Sequence, residues 1–498
     1  MMNASNKEGK PNIIFITCDH LRADLLGCAG HPVIQTPHID KLAENGVRFT
    51  QAYSPTPVCI PARASIMTGL EGDRLGIKEY RAGFELPVQE TLPQQLRDAG
   101  YQTKVVGKMH VYPERKHYGF EEMLLCEEGR LLGDNKRLDD YELWLAEQGY
   151  SGKAFGHGLS MNEYAVSPWH LPDHLHPTEW IGEQSCKQIK RRDWTRPLFL
   201  WTSFTAPHPP LTPLMNDLYV YEGEEIPESA MGDWVEEHPI YHQLSLAFGK
   251  GKTKHQKELA KRAFYASVTH IDRQINRIIG TLSEEGMLDN TWIVFTADHG
   301  DNLGDHNLWA KSTFLKGSCN IPLIITPPYQ GDERLGTNWK AESTNQSMVG
   351  LQDILPTLVE IGGGVTPEGI DGRSLLPLVK DTSQSVREMM LGEFGRDSHR
   401  TLMVTDGDWK YIWYETDGYE LLFNMKEDPN ERKNLVKKKP EKRIEYRQKL
   451  ISILALREQD PAVEGEELKV TFPGSKAEKN KRPRINSFMA YESPVGHH

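Results

Sequence analysis

Apolar residues run without a break through Asn12-Ile13-Ile14-Phe15-Ile16-Thr17 and give way to Cys18-Asp19-His20. A short continuous run of this kind predicts a parallel strand buried on both faces, with polar groups at its C-terminal end. Thr36-Pro37-His38-Ile39-Asp40-Lys41-Leu42-Ala43-Glu44-Asn45-Gly46 follows, with a capping threonine, a proline at the first helical position and a closing glycine, and predicts a helix. A helix over 91–100 and a strand over 101–106 continue the alternation, and further strands are predicted at 198–204, 292–296 and 322–326. Leu259, Phe264, Val268, Ile271, Ile275 and Ile278 recur at helical spacing and predict a long helix over 256–285. This rhythm belongs to an α/β fold with a large mixed, mostly parallel sheet flanked by helices.

Past Gly362-Gly363-Gly364 the pattern changes. Short aromatic runs at 402–405, 409–414 and 420–424, separated by Asp406-Gly407 and Asp417-Gly418 turns, predict an antiparallel meander closed by a charged helix over about 440–458. A chain of 498 residues exceeds the usual size of one hydrophobic core, so two units are expected. These are a larger unit over 1–375 and a smaller α+β unit over 376–498, ending in an extended arm at 474–498.

Composition narrows the function classes. Hydrophobic content of 38% with 26% charged residues is that of a globular protein. The net charge of −12 argues against nucleic acid as a partner, so an anionic substrate would need a local basic pocket. Six scattered cysteines, with no Cys-x-x-Cys pair, point to free thiols. No run approaches the ~20 apolar residues of a membrane span. The N-terminus lacks an apolar signal core, so a cytoplasmic location is expected; a homo-oligomer is left open.

Four of the predicted strands of the larger unit run into polar clusters: Asp19-His20, Lys108-Met109-His110, His208-Pro209-Pro210 and Asp298-His299-Gly300-Asp301. Open α/β sheets bind ligands beyond the C-terminal ends of their strands. Asp19, Asp298 and His299, if they converge, make a divalent-cation site. Lys108 and His110, two apart, share a side if their segment is extended. In Cys59-Ile60-Pro61-Ala62-Arg63, Pro61 suits the first turn of a helix. Cys59 would then stand at the positive end of the helix beside free N–H groups and Arg63, a setting that favours a thiolate or a group holding an oxyanion.

Cys59-x-Pro61-x-Arg63 with Thr68-Gly69 resembles the signature of the type I, formylglycine-dependent sulfatases of the alkaline phosphatase superfamily, with Ala62 where serine is common. Gly107-Lys108-x-His110, Pro207-His208-x-Pro210, Asp298-His299 and Lys311 are similar to further elements of that family and occur in its order. The resemblance spans most of residues 11–330 and continues more loosely through 353–358 and 421–429. It implies an alkaline-phosphatase-like fold and hydrolysis of sulfuric esters. It implies conversion of Cys59 to formylglycine by a maturation enzyme. It also implies a divalent cation, Ca2+ foremost with Mn2+ or Zn2+ as alternatives, on Asp19, His20, residue 59, Asp298 and His299.

His20 departs from the family, which usually has a second Asp there and sometimes Gln, and imidazole favours a softer cation than calcium. The resemblance further implies that a hydrated aldehyde at residue 59 attacks sulfur while Arg63, Lys108 and Lys311 spread the developing charge. His208 or Lys311 would protonate the departing alcohol, and His110 would then deprotonate the second hydroxyl to expel sulfate.

The expected substrate is a small-molecule or oligosaccharide sulfate ester, foremost a sulfated saccharide. Trp144, Tyr150, Tyr164, Trp169, Trp180, Trp234 and Tyr241 are candidate stacking surfaces for a sugar, and the histidine-rich stretch 170–176 a candidate polar contact. The alternatives are a phosphonate monoester or phosphodiester hydrolase, an arylsulfatase-like or choline-sulfatase-like enzyme, and a non-catalytic protein that binds sulfated ligands.

Overall fold

The computed structural model describes residues 9–129, 139–238, 252–329, 331–336, 339–395, 400–457 and 460–470. The expected arm at 474–498, the N-terminal stretch before residue 9 and Tyr241 lie outside these.

The first apolar run is the central strand β1 (Asn12–Asp19) of an eight-stranded sheet. Its neighbours are β2 (Val47–Phe49), β4 (Gln102–Gly107), β5 (Glu122–Leu125), β6 (Leu198–Pro207), β7 (Thr291–Ala297), β8 (Leu323–Thr326) and β9 (Ser343–Asn345), in the spatial order β5-β4-β6-β1-β7-β8-β2-β9. β5, β4, β6, β1 and β7 run parallel, and β8 alone lies antiparallel to both of its neighbours. Ile13, Ile14, Phe15 and Ile16 are fully buried, which explains why β1 reads as unbroken hydrophobicity instead of alternation. The register between β1 and β6 slips between Thr17 and Asp19, so that Asp19 stands opposite Pro207. Such irregularities re-aim side chains at strand ends.

β3 (Ala52–Tyr53) and β10 (Val349–Gly350) pair separately. Helices over 37–44 (α1), 92–98, 177–190 and 354–361 agree with or add to the expected pattern, and the long helix is Lys254–Glu284, opened by a Thr253–Gln256 capping box. β2, β5 and β9 were not foreseen: three or four residues are too few to display a period.

The smaller unit is a meander of four strands, β11 (Met390–Phe394), β12 (Thr401–Thr405), β13 (Trp409–Tyr414) and β14 (Glu420–Asn424), one more than expected. One face, with Leu402, Val404, Tyr411, Trp413 and Leu422, packs on Tyr446, Leu450, Ile451 and Leu454 of the helix Pro440–Leu454. Met403, Ile412, Leu421 and Phe423 on the other face pack against Val58, Phe314 and Leu315 of the larger unit. All six cysteines are free. Among the described residues no helix is long and apolar enough to cross a membrane.

Candidate active site

Four adjacent parallel strands end on one side of the sheet, and each delivers a polar group there: Lys108 after β4, His208 after β6, Asp19 closing β1 and Asp298 after β7. At Gly107 the chain leaves β4 with φ +108°, and a Cβ would lie 1.9 Å from the Ser203 carbonyl oxygen. Only glycine fits there.

Above the strand ends sits the helix α2 (Cys59–Thr68), buried throughout, whose first residue is the cysteine. The Cys59 Sγ lies 3.2 Å from His299 Nε2 and 3.8 and 3.9 Å from the Asp19 carboxylate oxygens. Burial and the Asp19 charge push this thiol up, but Lys311, His299 and Lys108 outweigh them and hold it well below its ordinary value. Burial opposes the charge on His299, yet Asp298 and Cys59 raise it to about 9. Burial also opposes the Asp19 charge, and Lys108 with the surrounding histidines keeps its carboxyl well below the usual range. Asp298 is shifted upward, by burial and then by Asp19.

The cations are held by specific partners. Lys108 Nζ pairs with Asp19 and, at 2.5 Å, with Glu128. Lys311 Nζ lies 2.6 Å from His20 Nε2 and 3.3 Å from His208 Nε2, with Asn162 Oδ1 at 3.4 Å. Arg63 donates from Nε to Asp298 Oδ2 (2.8 Å) and from Nη1 to the Lys108 carbonyl (2.6 Å) and Ser203 Oγ (3.0 Å). Its guanidinium therefore clamps the ends of β4, β6 and β7 together.

His110 departs from the extended geometry expected of its segment. Glu127 accepts the N–H groups of both Met109 and His110, and with His110 at φ +52° the loop curls. Lys108 turns to Asp19, whereas the His110 ring packs edge-on against Tyr80 and Tyr112.

Asp19, His20, Cys59 and His299 each offer a ligand atom, all buried and within 4.8 Å of one another. Mixed carboxylate, imidazole and residue-59 donors in so tight a group suit a divalent cation. Asp298 borders this group, with Oδ1 3.7 Å from His299 Nε2 and Oδ2 committed to Arg63.

Sequence reasoning missed Glu127 and Glu128, adjacent carboxylates with no motif to mark them. It named Asp301 within its cluster without a use. Of the expected stacking residues, Tyr164, Trp180 and Trp234 are buried and Trp144 and Tyr150 pack against the core, whereas Trp169 lines a cleft that also contains His208.

A helix N-terminus carrying a low-pKa thiol, beside a carboxylate–imidazole cluster and three cations at the C-terminal edge of a mixed sheet, defines a hydrolase of the alkaline-phosphatase-like class. The sulfatase family profile matches residues 11–365, and one for the N-sulphoglucosamine sulphohydrolase C-terminal region matches 304–458. An arylsulfatase of Clostridium perfringens is 36% identical over 89% of this chain and 94% of its own, and a choline-sulfatase of Rhizobium meliloti 30% identical over 86% and 82%. The solved phosphonate monoester hydrolase of Agrobacterium radiobacter superposes with a TM-score of 0.76 at 25% identity, covering 90% of this chain and 96% of its own. The chain belongs to the sulfatase family, within the alkaline phosphatase superfamily, and is a sulfuric ester hydrolase. Metal dependence and formylglycine are typical of that family, and the buried cluster at Cys59 has donors that suit a metal ion.

Proposed function

We propose that the protein releases sulfate from sulfate monoesters of a saccharide at residue 59 after Cys59 is oxidised to formylglycine by a maturation enzyme. The observation that carries this reading is the placement of Cys59 Sγ, where an oxygen of the oxidised residue would stand, between His299 and Asp19 at the N-terminus of α2. A divalent cation held by Asp19, His20, His299 and Asp298 would acidify a hydroxyl on residue 59 and draw charge from the sulfuryl oxygens.

Lys108 and Lys311 approach from the Asp19 and His20 sides and bind those oxygens. Arg63, tied to Asp298 and to the Lys108 carbonyl, holds both in place. The His208 Nδ1 is 2.5 Å from the Pro209 carbonyl and donates to it, which leaves Nε2 facing Lys311. Lys311 and His208 thus share the proton given to the departing alcohol. His110 is the base of the second half of turnover.

A saccharide is supported by the cleft beside His208, where Phe155 and Trp169 stand with His157, Thr205 and Glu142. Aromatic faces with a few polar groups suit a sugar ring. The match of residues 304–458 to the sulphoglucosamine sulphohydrolase profile points the same way.

The test is turnover of 4-nitrophenyl sulfate against 4-nitrophenyl phosphate by protein coexpressed with a maturation enzyme, followed by a panel of sulfated mono- and oligosaccharides and choline sulfate. Sulfate turnover with no activity in Cys59→Ala is expected, and peptide mass measurement should show conversion of residue 59. Preference for the phosphate ester would favour a phosphonate or phosphodiester hydrolase, and preference for choline sulfate would remove the saccharide.

A further inference from the structure

We infer that Asp301 and Tyr164 are positioning residues that lock His20 as its Nδ1–H tautomer and turn the Nε2 lone pair into the cation cluster, so that the site prefers Mn2+ or Zn2+ to Ca2+. The inference rests on the reading that this cluster holds a divalent cation.

His20 is fully buried in the left-handed region at φ +74°, its ring edge-on between those of His208 and His299, with centroids 4.2 and 4.5 Å away. Its Nδ1 lies 2.9 Å from Asp301 Oδ2, which also accepts the Tyr164 hydroxyl. The other Asp301 oxygen accepts the backbone N–H groups of Leu303 (2.7 Å) and Ala310 (3.1 Å). A carboxylate so surrounded by donors can only accept, so His20 Nδ1 carries the proton.

The opposite edge of the ring gives the same answer independently. Lys311 Nζ is 2.6 Å from His20 Nε2, and an ammonium has no lone pair, so Nε2 must be the acceptor. That lone pair, 3.8 Å from Asp19 Oδ1, is on the side of the group with Cys59 and His299, and a cation there would take it over from the Lys311 ammonium. A neutral nitrogen donor here contributes no negative charge, where a carboxylate would add one. Hard Ca2+ loses most by that exchange and transition cations least.

The experiment is a chelator-competition titration of the metal-stripped, folded protein with Mn2+, Zn2+ and Ca2+, with echo-detected EPR of the Mn2+ form for 14N coupling. Neither readout depends on turnover, so failure of the sulfatase assay and failure here are distinguishable. Tighter Mn2+ and Zn2+ than Ca2+ is expected, with nitrogen coupling that falls in His20→Asp as the preference shifts toward Ca2+. Asp301→Asn should weaken Mn2+ by roughly 10–100-fold, as loss of a partner behind a metal-binding histidine generally does. Tyr164→Phe, which keeps the carboxylate and the packing, should show a smaller loss in the same direction and serves if Asp301→Asn does not fold. Ca2+ bound as tightly as Mn2+ by the unaltered protein, unchanged Mn2+ affinity in both Asp301→Asn and Tyr164→Phe, or no cation bound at all would overturn the inference.

Discussion

At Gly107 a missing side chain decides where Lys108 and His110 go. The Lys108 N–H bonds the Ser203 carbonyl at 2.9 Å, against which any Cβ at 107 would press. Gly107→Ala should therefore displace Lys108 and His110 together and lower both kcat/KM and the melting midpoint, measured on the same preparation. In the proposed mechanism the histidines separate by step. His208→Ala removes a proton donor to the alcohol, and the loss should reach roughly 10²–10⁴-fold for an alkyl sulfate but be slight for an aryl sulfate, whose leaving group is already acidic. His110→Ala should let a sulfated enzyme accumulate, seen by rapid quench as a burst of alcohol followed by slow turnover. Equal losses on both substrates without a burst would reverse these assignments.

At the scale of elements, the meander β11–β14 is a wall behind Cys59. Its inner face covers Val58, which precedes Cys59, and the Ser312 N–H bonds the Pro57 carbonyl at 3.0 Å, so the loop bearing Lys311 is tied to the start of α2. Lys410 of β13 points the same way and is fully buried, donating to Glu431 (2.8 Å) and to the Phe314 carbonyl (3.0 Å). Lys410→Met would leave the Glu431 carboxylate buried without its cation, and urea unfolding should show a loss of about 3–5 kcal/mol. Lys410→Met with Glu431→Leu should recover much of it, because the uncompensated charge is then gone. The short strands β2, β5 and β9 escaped sequence reading for want of length, whereas β1, β6 and β7, buried on both faces, announced themselves as apolar runs.

Across the whole molecule the two units are joined by an ion network in which Arg400 grips Asp460 through both nitrogens at 2.7 Å and also contacts Glu393. Lys78 and Arg457 carry the network on to Asp73. Burial alone would raise the Asp460 carboxyl, but the Arg400 fork, the Ala462 N–H and Arg457 hold it to about 2. A depressed carboxyl stabilises the fold above its unfolded value near 4 and loses that contribution as pH falls toward 2. Asp460→Asn should accordingly lower the melting midpoint at pH 7, with the gap to the unaltered protein closing below about pH 4.

Local chemistry of the chain determined the strands that build the centre of the sheet, the helix start at Cys59 and the polar residue at the end of each strand. These depend on neighbours in sequence: unbroken apolar runs, a proline in a first turn, a carboxylate after a strand. Tertiary structure alone decided that β4, β6, β1 and β7 lie side by side, that Arg63 clamps the ends of β4, β6 and β7, and that His110 curls away from Lys108 onto Tyr80 and Tyr112. It alone brought Asp301 and Tyr164 to the far side of His20. Those contacts join residues up to hundreds of positions apart, and a hydrogen bond between such residues leaves no period or spacing in the chain that could reveal it.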